Sequence, residues 1–348
     1  QILAHKKANY KEESDISEYK CLLPELKNKN VCVVTDKHNK NVQHIHYPLS
    51  ENDCVSIIIP SKDNPEILKV CFESIKKYKN GVLYNRRSFF MNTRELLLYL
   101  TLKLNGDWDN ILDFIKKKCR VDKNELENYV NGFSGNYITL LDPEYPECLK
   151  TSRKPPFVLF YKGDINLLSS PRHLMLGVIG ARNNTDYGLK NCRKIVKELD
   201  ENVIIISGLA KGIDGIAHQA AMECKKRTIA VLGCAINKIY PSDNSTLYDD
   251  IVRNNGVIIS EYGPNVETGC DNFLLRNRII ASLADTLLVI ESYNRSGCMS
   301  TVSFALEENR NICCLPFCAN EQSNCNRLIK EGAYLVENAK DVEEILNP

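Results

Sequence analysis

Short turns carrying the residue types that hold phosphate recur through the second half of this 348-residue chain. One is Gly180-Ala181-Arg182, with Thr185 and Tyr187-Gly188 behind it. Another is Ser207-Gly208-Leu209-Ala210-Lys211-Gly212-Ile213-Asp214, then Ala217-His218. Gly233 follows, with Tyr240-Pro241 and Asn244 beyond it. Ser260-Glu261-Tyr262 leads toward Arg276-Asn277-Arg278, and Glu291 leads to Arg295-Ser296-Gly297 and Thr301. Glycine lets backbone approach a phosphate closely, hydroxyls and N–H groups donate to its oxygens, and arginine adds bidentate charge. No one of these tripeptides is specific; their recurrence is. No G-x-G-x-x-G fingerprint follows the first strand and no Walker A lysine loop occurs, which argues against a nicotinamide or ATP enzyme.

The positioning elements are legible around these turns. Apolar runs at 174–179, 203–206, 228–232, 257–259, 286–290 and 311–315 alternate with helical patterns at about 187–199, 213–225, 245–254, 273–284 and 300–309. Continuous apolar strands separated by helices are buried on both faces of a parallel sheet. The expectation is an α/β fold with a doubly wound, mostly parallel sheet. Ligands of such sheets bind beyond the carboxyl ends of the strands, where helix N-termini point free N–H groups outward. Each turn named above falls at such an end.

Ahead of this domain, 91–136 reads as a small helical domain. Leu96, Leu97, Leu100 and Leu104 share one face, Ile111, Leu112 and Ile115 another, and a third helix starts near Asp122. Asp107-x-Asp109 sits between helices and reads as a helix cap. Residues 1–90 are polar and lysine-rich, with one apolar run at 55–59 followed by a helical pattern through Ile67, Leu68, Cys71, Phe72 and Ile75. That is a single βα unit, which cannot bury both faces of its strand without neighbours.

Hydrophobic residues make up 43% and charged residues 26%, a globular composition rather than a disordered one. No apolar run approaches the roughly 18–20 residues of a membrane-spanning helix, and no signal-peptide pattern opens the chain. Fifteen cysteines, an odd number at irregular spacing, read as reduced thiols of a cytoplasmic protein. Cys313, Cys314, Cys318 and Cys325 fit no paired metal-ligand spacing, so no metal is expected. Forty-five basic against 44 acidic residues leave no global positive field, so any polyanion site must be a local patch.

From about 137 to 336 the motif series resembles the DprA/Smf family of DNA-processing proteins. Gly180-Ala181-Arg182, Ser207-Gly208-Leu209-Ala210-x-Gly212-Ile213-Asp214, Ala230-Val231-Leu232-Gly233 and Tyr240-Pro241 occur in the expected order. Ser260-Glu261-Tyr262, Arg276-Asn277-Arg278-Ile279-Ile280-Ala281 and Arg295-Ser296-Gly297 complete it. Leu141-Asp142-Pro143-x-Tyr145-Pro146 and Tyr161-x-Gly163-Asp164 look like the family's entry into its Rossmann-like domain (137–348 here), and the helices from Met91 look like its N-terminal helical domain.

The resemblance implies a cytoplasmic, homodimeric protein that binds single-stranded DNA and hands it to the RecA recombinase in natural transformation, with no catalytic activity and no cofactor. Carried over by motif, Arg182 grips a DNA phosphate. Arg276, Arg278, Ser207, Gly208, Ser296 and Gly297 shape the pocket, with Gly180, Lys211, Gly212, Gly233, Arg295 and Thr301 belonging to the same phosphate-binding series. Ala181 departs from the usual serine, Phe317 and Asn324 from usual glycines, and a C-terminal winged helix is expected to be absent. The leader's Val55–Asn64 stretch resembles only the opening of family 2 glycosyltransferases. The leader is therefore expected to be foreign to the rest, with Met91 as the native initiator.

Other readings compete. A nucleotide-binding sensor or a nucleotide N-glycosidase of a related fold is the alternative, but the glycosidase motif needs a glutamate where Phe304 stands. His218 and Asp214, four apart on a helix, are expected to share a structural hydrogen bond. Glu261 and Glu291 are expected to orient arginines such as Arg278 or Arg295 rather than to do acid–base work. Tyr187, Tyr240, Tyr262 and Phe273 are candidate base-stacking surfaces.

Overall fold

The computed structural model describes residues 93–348 apart from 118, 170–172, 268, 294–295, 320 and 348, together with three backbone strands nearer the N-terminus. Those strands, β1 (Cys32–Thr35), β2 (Gln43–Pro48) and β3 (Cys54–Ile59), form a sheet in the order β1-β2-β3, both pairs antiparallel. The strand read at 55–59 is therefore β3, and it has neighbours that the sequence reading lacked. The helix read after it lies outside the described residues. The chain divides into a unit at Gln1–Ser88 and another at Phe89–Pro348, and the second holds the candidate site.

That second unit opens with α1 (Thr93–Lys103), α2 (Trp108–Lys116) and α3 (Lys123–Asn131). Asp107 and Asp122 cap α2 and α3 by accepting from the N–H groups of Asn110 and Glu125, which satisfies donors a helix start otherwise leaves open. Then follow β4 (Asn136–Thr139), α4 (Glu147–Lys150), β5 (Val158–Gly163) and β6 (Leu174–Gly180). The alternation continues through α5 (Asp186–Glu198), β7 (Val203–Ser207), α6 (Ile213–Glu223), β8 (Thr228–Leu232), α7 (Ser245–Arg253) and β9 (Val257–Ser260). The last third comprises α8 (Cys270–Leu283), β10 (Thr286–Glu291), α9 (Cys298–Glu307), β11 (Asn311–Cys314), α10 (Asn324–Lys330), β12 (Tyr334–Leu335) and α11 (Ala339–Leu346).

The nine strands from β4 to β12 make one sheet in the order β12-β11-β10-β6-β7-β8-β9-β5-β4. It is parallel from β12 to β9; β5 runs antiparallel to β9, and β4 antiparallel to β5. A doubly wound, mostly parallel α/β sheet preceded by helices is thus what the chain forms. Alternate side chains of the inner strands feed two cores. Ile204, Ile206, Ile229, Val231 and Val289 pack with α8, α9 and α10 on one face. Val203, Ile205, Leu288 and Ile290 pack with α5, α6 and α11 on the other. Sequence order runs outward from β6 through β9 in one direction and from β10 through β12 in the other. The carboxyl ends of β6 and β10 therefore flank the topological switch point, where open α/β sheets place their ligands.

The helices from α1 to α3 are fastened to this sheet. Arg94 pairs with Asp142 at 2.8 Å and donates to the Tyr137 carbonyl on β4, while the Trp108 indole N–H donates to Pro155 and its ring stacks on Phe157.

His218 on α6 is fully buried, and its partner is Thr228 (Nδ1 to Oγ1, 2.7 Å) rather than Asp214. Thr228 spends its one hydroxyl proton on the Ile205 carbonyl, so His218 Nδ1 donates to the Thr228 oxygen. Burial, reinforced by the positive Arg276, pushes its pKa down to about 3. An unfolded histidine takes a proton near pH 6.5 and this one does not, so its contribution to stability is present above pH 6.5 and lost on acidification toward 3. The slope is about 1.4 kcal/mol per pH unit in that window. Denaturant titrations at pH 7 and 5 should show His218→Leu losing less stability on acidification than the parent. Equal losses would remove His218 as the cause.

Candidate functional site

Four loops meet at the carboxyl edge, tied to one another by direct contacts. The β6 loop and the β7 loop cross at Gly212, whose φ of +78° suits glycine. A Cβ there would lie 2.2 Å from the Ala181 carbonyl oxygen and 2.5 Å from that of Arg182. The Ile213 N–H donates to the same Ala181 carbonyl at 3.2 Å, and Gly180 is pressed against the Ile213 side chain. The β7 loop is anchored further by Asn244, whose amide donates to the carbonyls of Leu209 and Ala210.

Beneath this crossing lies Arg276. Its guanidinium is buried and donates to the Gly208 carbonyl (2.8 Å) and to the Val231 carbonyl at the end of β8. A Cβ on Gly208 would sit 2.6 Å from that guanidinium and would force it to shift from its carbonyl partners. Burial lowers the Arg276 pKa, and nearby Asp214 opposes the shift. Asp214 is itself buried, its pKa raised by desolvation and held back by Arg276; its carboxylate accepts from the N–H groups of Gly208 (3.2 Å) and Ala210 (3.4 Å). An internal carboxylate thus fills the amide nest of the β7 loop.

The same device recurs at the switch point. Glu291, at the end of β10 and fully buried, accepts from the Thr185 N–H (3.0 Å) and the Thr185 hydroxyl (3.2 Å) at the start of α5. Gly188 makes room for it, since a Cβ would come within 1.9 Å of Glu291 Oε2. Where the dipole of a helix start attracts an anion, the protein supplies its own. Glu291 orients a helix start here, whereas Glu261 does hold an arginine, Arg278.

The residues singled out by sequence therefore divide. Arg182 is exposed at the switch point and has no ion-pair partner among the described residues, and Arg276 lies close enough to feel its charge. Lys211, also exposed, pairs with Asp243 at 2.5 Å. Gly297 opens α9 with no atom of the described residues within 4 Å of where its Cβ would be, and the Asn277 amide ties this turn to α8 through Ser300 at 2.8 Å. Ser296 bonds to Cys298 within the same turn.

Other members face inward. Ser207 donates its hydroxyl to the Val178 carbonyl (2.6 Å), Thr301 is buried in α9, and Gly233 is covered by Phe273. Arg278 is turned away from the loops: it makes a bidentate pair with Glu261 (2.6 and 2.9 Å) and donates to the Lys154 carbonyl, binding α8 to β9 and the segment before β5. Arg295 lies outside the described residues. Of the four stacking candidates, Tyr187 and Tyr240 are exposed, while Tyr262 is buried and Phe273 half-buried under Tyr240. Tyr293 and Phe317 join Tyr187 in an aromatic cluster (centroids 5.0 and 6.2 Å from Phe317), which the sequence signalled only by an aromatic in a glycine position. Phe304, at the position where a glycosidase needs its glutamate, packs against the core.

Substitutions should separate framework from surface. Gly212→Ala is expected to cost at least about 2 kcal/mol, and Arg278→Ala about 3–5 kcal/mol, because it strands Glu261 in the interior. Gly297→Ala should stay within about 0.5 kcal/mol of the parent. Urea melts of the three variants measure this; a Gly297→Ala loss matching that of Gly212→Ala would contradict the assignment.

Comparison with known proteins agrees with this architecture. The family model of DNA recombination-mediator protein A matches residues 136–347. The chain is 36% identical over 281 residues to the DNA processing protein DprA of Streptococcus pneumoniae, covering 76% of this chain and 98% of that protein. It is 36% identical over 214 residues to DprA of Bacillus subtilis, covering 61% and 71%. The X-ray structure of the S. pneumoniae protein superposes with a TM-score of 0.59 at 31% identity, over 79% of this chain and 97% of that one. A Helicobacter pylori DNA processing protein A, solved for its single-stranded DNA binding mode, gives 0.55 at 30%, over 60% and 95%. The ordered motifs and the sheet that gathers them are those of one family, and the chain belongs to it: the DNA recombination-mediator protein A family.

Proposed function

We propose that this chain binds single-stranded DNA along the carboxyl edge of its sheet, independently of sequence, and delivers it to the RecA recombinase. The observation that carries the reading is Arg182: an exposed guanidinium without an acidic partner among the described residues, standing at the switch point on a loop locked from below by Gly212. A neutralised backbone phosphate is what such a group selects. The open Gly297 turn at the start of α9 lies at the other wall of the switch point and lets a second phosphate approach its amides. Lys211 adds a further cation on exchanging Asp243 for DNA. Tyr187 and Tyr240 present exposed rings on which bases stack without regard to sequence.

The internal carboxylates favour a polymer over a mononucleotide. Asp214 and Glu291 occupy the amide nest and the helix start that would otherwise take a nucleotide's phosphate. What remains outward-facing is spread along an edge, which suits repeated phosphates. The related DNA processing protein A whose structure describes single-stranded DNA binding supports the same ligand class. A homodimeric, cytoplasmic protein without catalytic activity or cofactor completes the proposal, as do a helical domain at 91–136 and a leader dispensable for binding. Among the described residues no helix is long and apolar enough to cross a membrane.

Gel shifts with unrelated single-stranded oligonucleotides test this. Arg182→Ala should weaken all of them alike and make the log–log salt dependence shallower by about 0.7, the loss of one single-strand phosphate contact. Gly297→Ala, stable by the argument above, should weaken binding less than Arg182→Ala does. Unchanged affinity and salt slope for Arg182→Ala would overturn the assignment. RecA loading is read separately, as strand-exchange stimulation on DNA coated with a single-strand-binding protein.

A further inference from the structure

A cleft of about 840 Å³ lies between the α1–α2 turn, the segment from β9 into α8, and the first turns of α9. Its wall is preformed. Gly106, at a φ of +72°, seats the α1–α2 turn on β9: a Cβ there would be 2.9 Å from both the Glu261 carbonyl oxygen and the Tyr262 ring. Glu261 is in turn clamped by Arg278.

The lining is apolar below and acidic above. Trp108, Tyr262, Val266 and Phe304 give an apolar floor, and Leu274 stands 47% exposed at the mouth. Four carboxylates line the cleft, from Asp107, Asp109, Glu267 and Asp271. Among the described residues only Asp109 of the four has an ion-pair partner, Lys154 at 2.8 Å. The one lysine in the lining, Lys103, is held by Glu125 at 2.8 Å. Glu267 and Asp271 are exposed and have no ion pair among the described residues. Such a surface repels a polyanion, so it is not an extension of a DNA path. It complements a ligand with positive charge beside apolar bulk, and a rigid cleft of this size needs little ordering to bind one.

We propose that this cleft docks a segment of a partner protein carrying lysine or arginine next to leucine-like side chains. The apolar side chain covers Leu274 and Phe304 while the cation meets Glu267 and Asp271. A small polyamine would satisfy the carboxylates but leave the apolar floor wet. The inference is tested apart from the DNA reading through Glu267, Asp271 and Leu274, which lie outside the switch-point turns, although Ser300 of the Gly297 turn reaches the cleft wall.

Trp108 is the only tryptophan of the chain and lies in the floor, so it reports occupancy directly. The full chain is titrated with an amphipathic helical peptide of roughly fourteen leucines and lysines, with a twin in which glutamate replaces lysine, and with spermine. The leucine–lysine peptide should shift Trp108 emission with one-to-one stoichiometry, and the glutamate twin should not. The pair Glu267→Gln with Asp271→Asn should weaken the peptide about tenfold, and Leu274→Ser should weaken it with less effect on its salt dependence. Thermal melts of both variants check folding, and their single-stranded DNA gel shifts should match the parent, which keeps this test separate from that of the DNA reading. Binding unaffected by both variants, no emission change, or spermine binding as tightly as the peptide would each overturn the proposal.

Discussion

A guanidinium removed from water must be surrounded by acceptors, and the carboxyl edge of this sheet is arranged around that requirement. Arg276 takes the carbonyls of Gly208 and Val231, with the buried charge of Asp214 nearby, so it joins the ends of β7 and β8 to α8. Leaving any of these groups unpaired in the interior would cost more than the net gain of making one bond. The loops are therefore stiff because their alternatives are expensive. Ser207, Gly208 and Asp214 are held from within, and the β6 loop rests on them through Gly212.

That stiffness has a functional consequence. Anion-binding geometry is present twice at this edge, in the β7 loop and at the start of α5, and each time a carboxylate of the protein occupies it. The surface proposed for recognition is what stands above this filled layer: Arg182, the turn at Gly297 and exposed aromatic rings. Cations of one motif series thus separate into two jobs. Arg276 and Arg278 are framework, each satisfied inside the protein, while Arg182 is left to the solvent side. A residue-type pattern alone cannot make that separation, since all three read as arginine beside glycine or asparagine.

Much of the fold could be read directly. The six apolar runs from 174 onward correspond to β6 through β11 with ends differing by one residue at most, because strands buried on both faces leave no other pattern. The cap at Asp107 and the helix start near Asp122 were equally legible. Less so were β4 and β5, which pair antiparallel at the sheet's far side, and the two-residue β12, whose exposed Tyr334 and Leu335 give no alternation to detect. His218 shows the limit of spacing arguments. Asp214 lies one helical turn away, yet both groups found better partners on other elements, Thr228 for one and backbone amides for the other.

By itself the order of residues determined which loops fall at the carboxyl ends of parallel strands, because apolar period and chain direction are local properties. It also marked the glycines, whose need to be small is written in their type. What each glycine makes room for was decided only in three dimensions: a neighbouring carbonyl at Gly212, a guanidinium at Gly208, a carboxylate at Gly188 and open space at Gly297. The physical reason is that burial and hydrogen-bond partnership depend on elements far apart in the chain, and those two quantities decide whether a charged side chain supports the fold or meets a ligand.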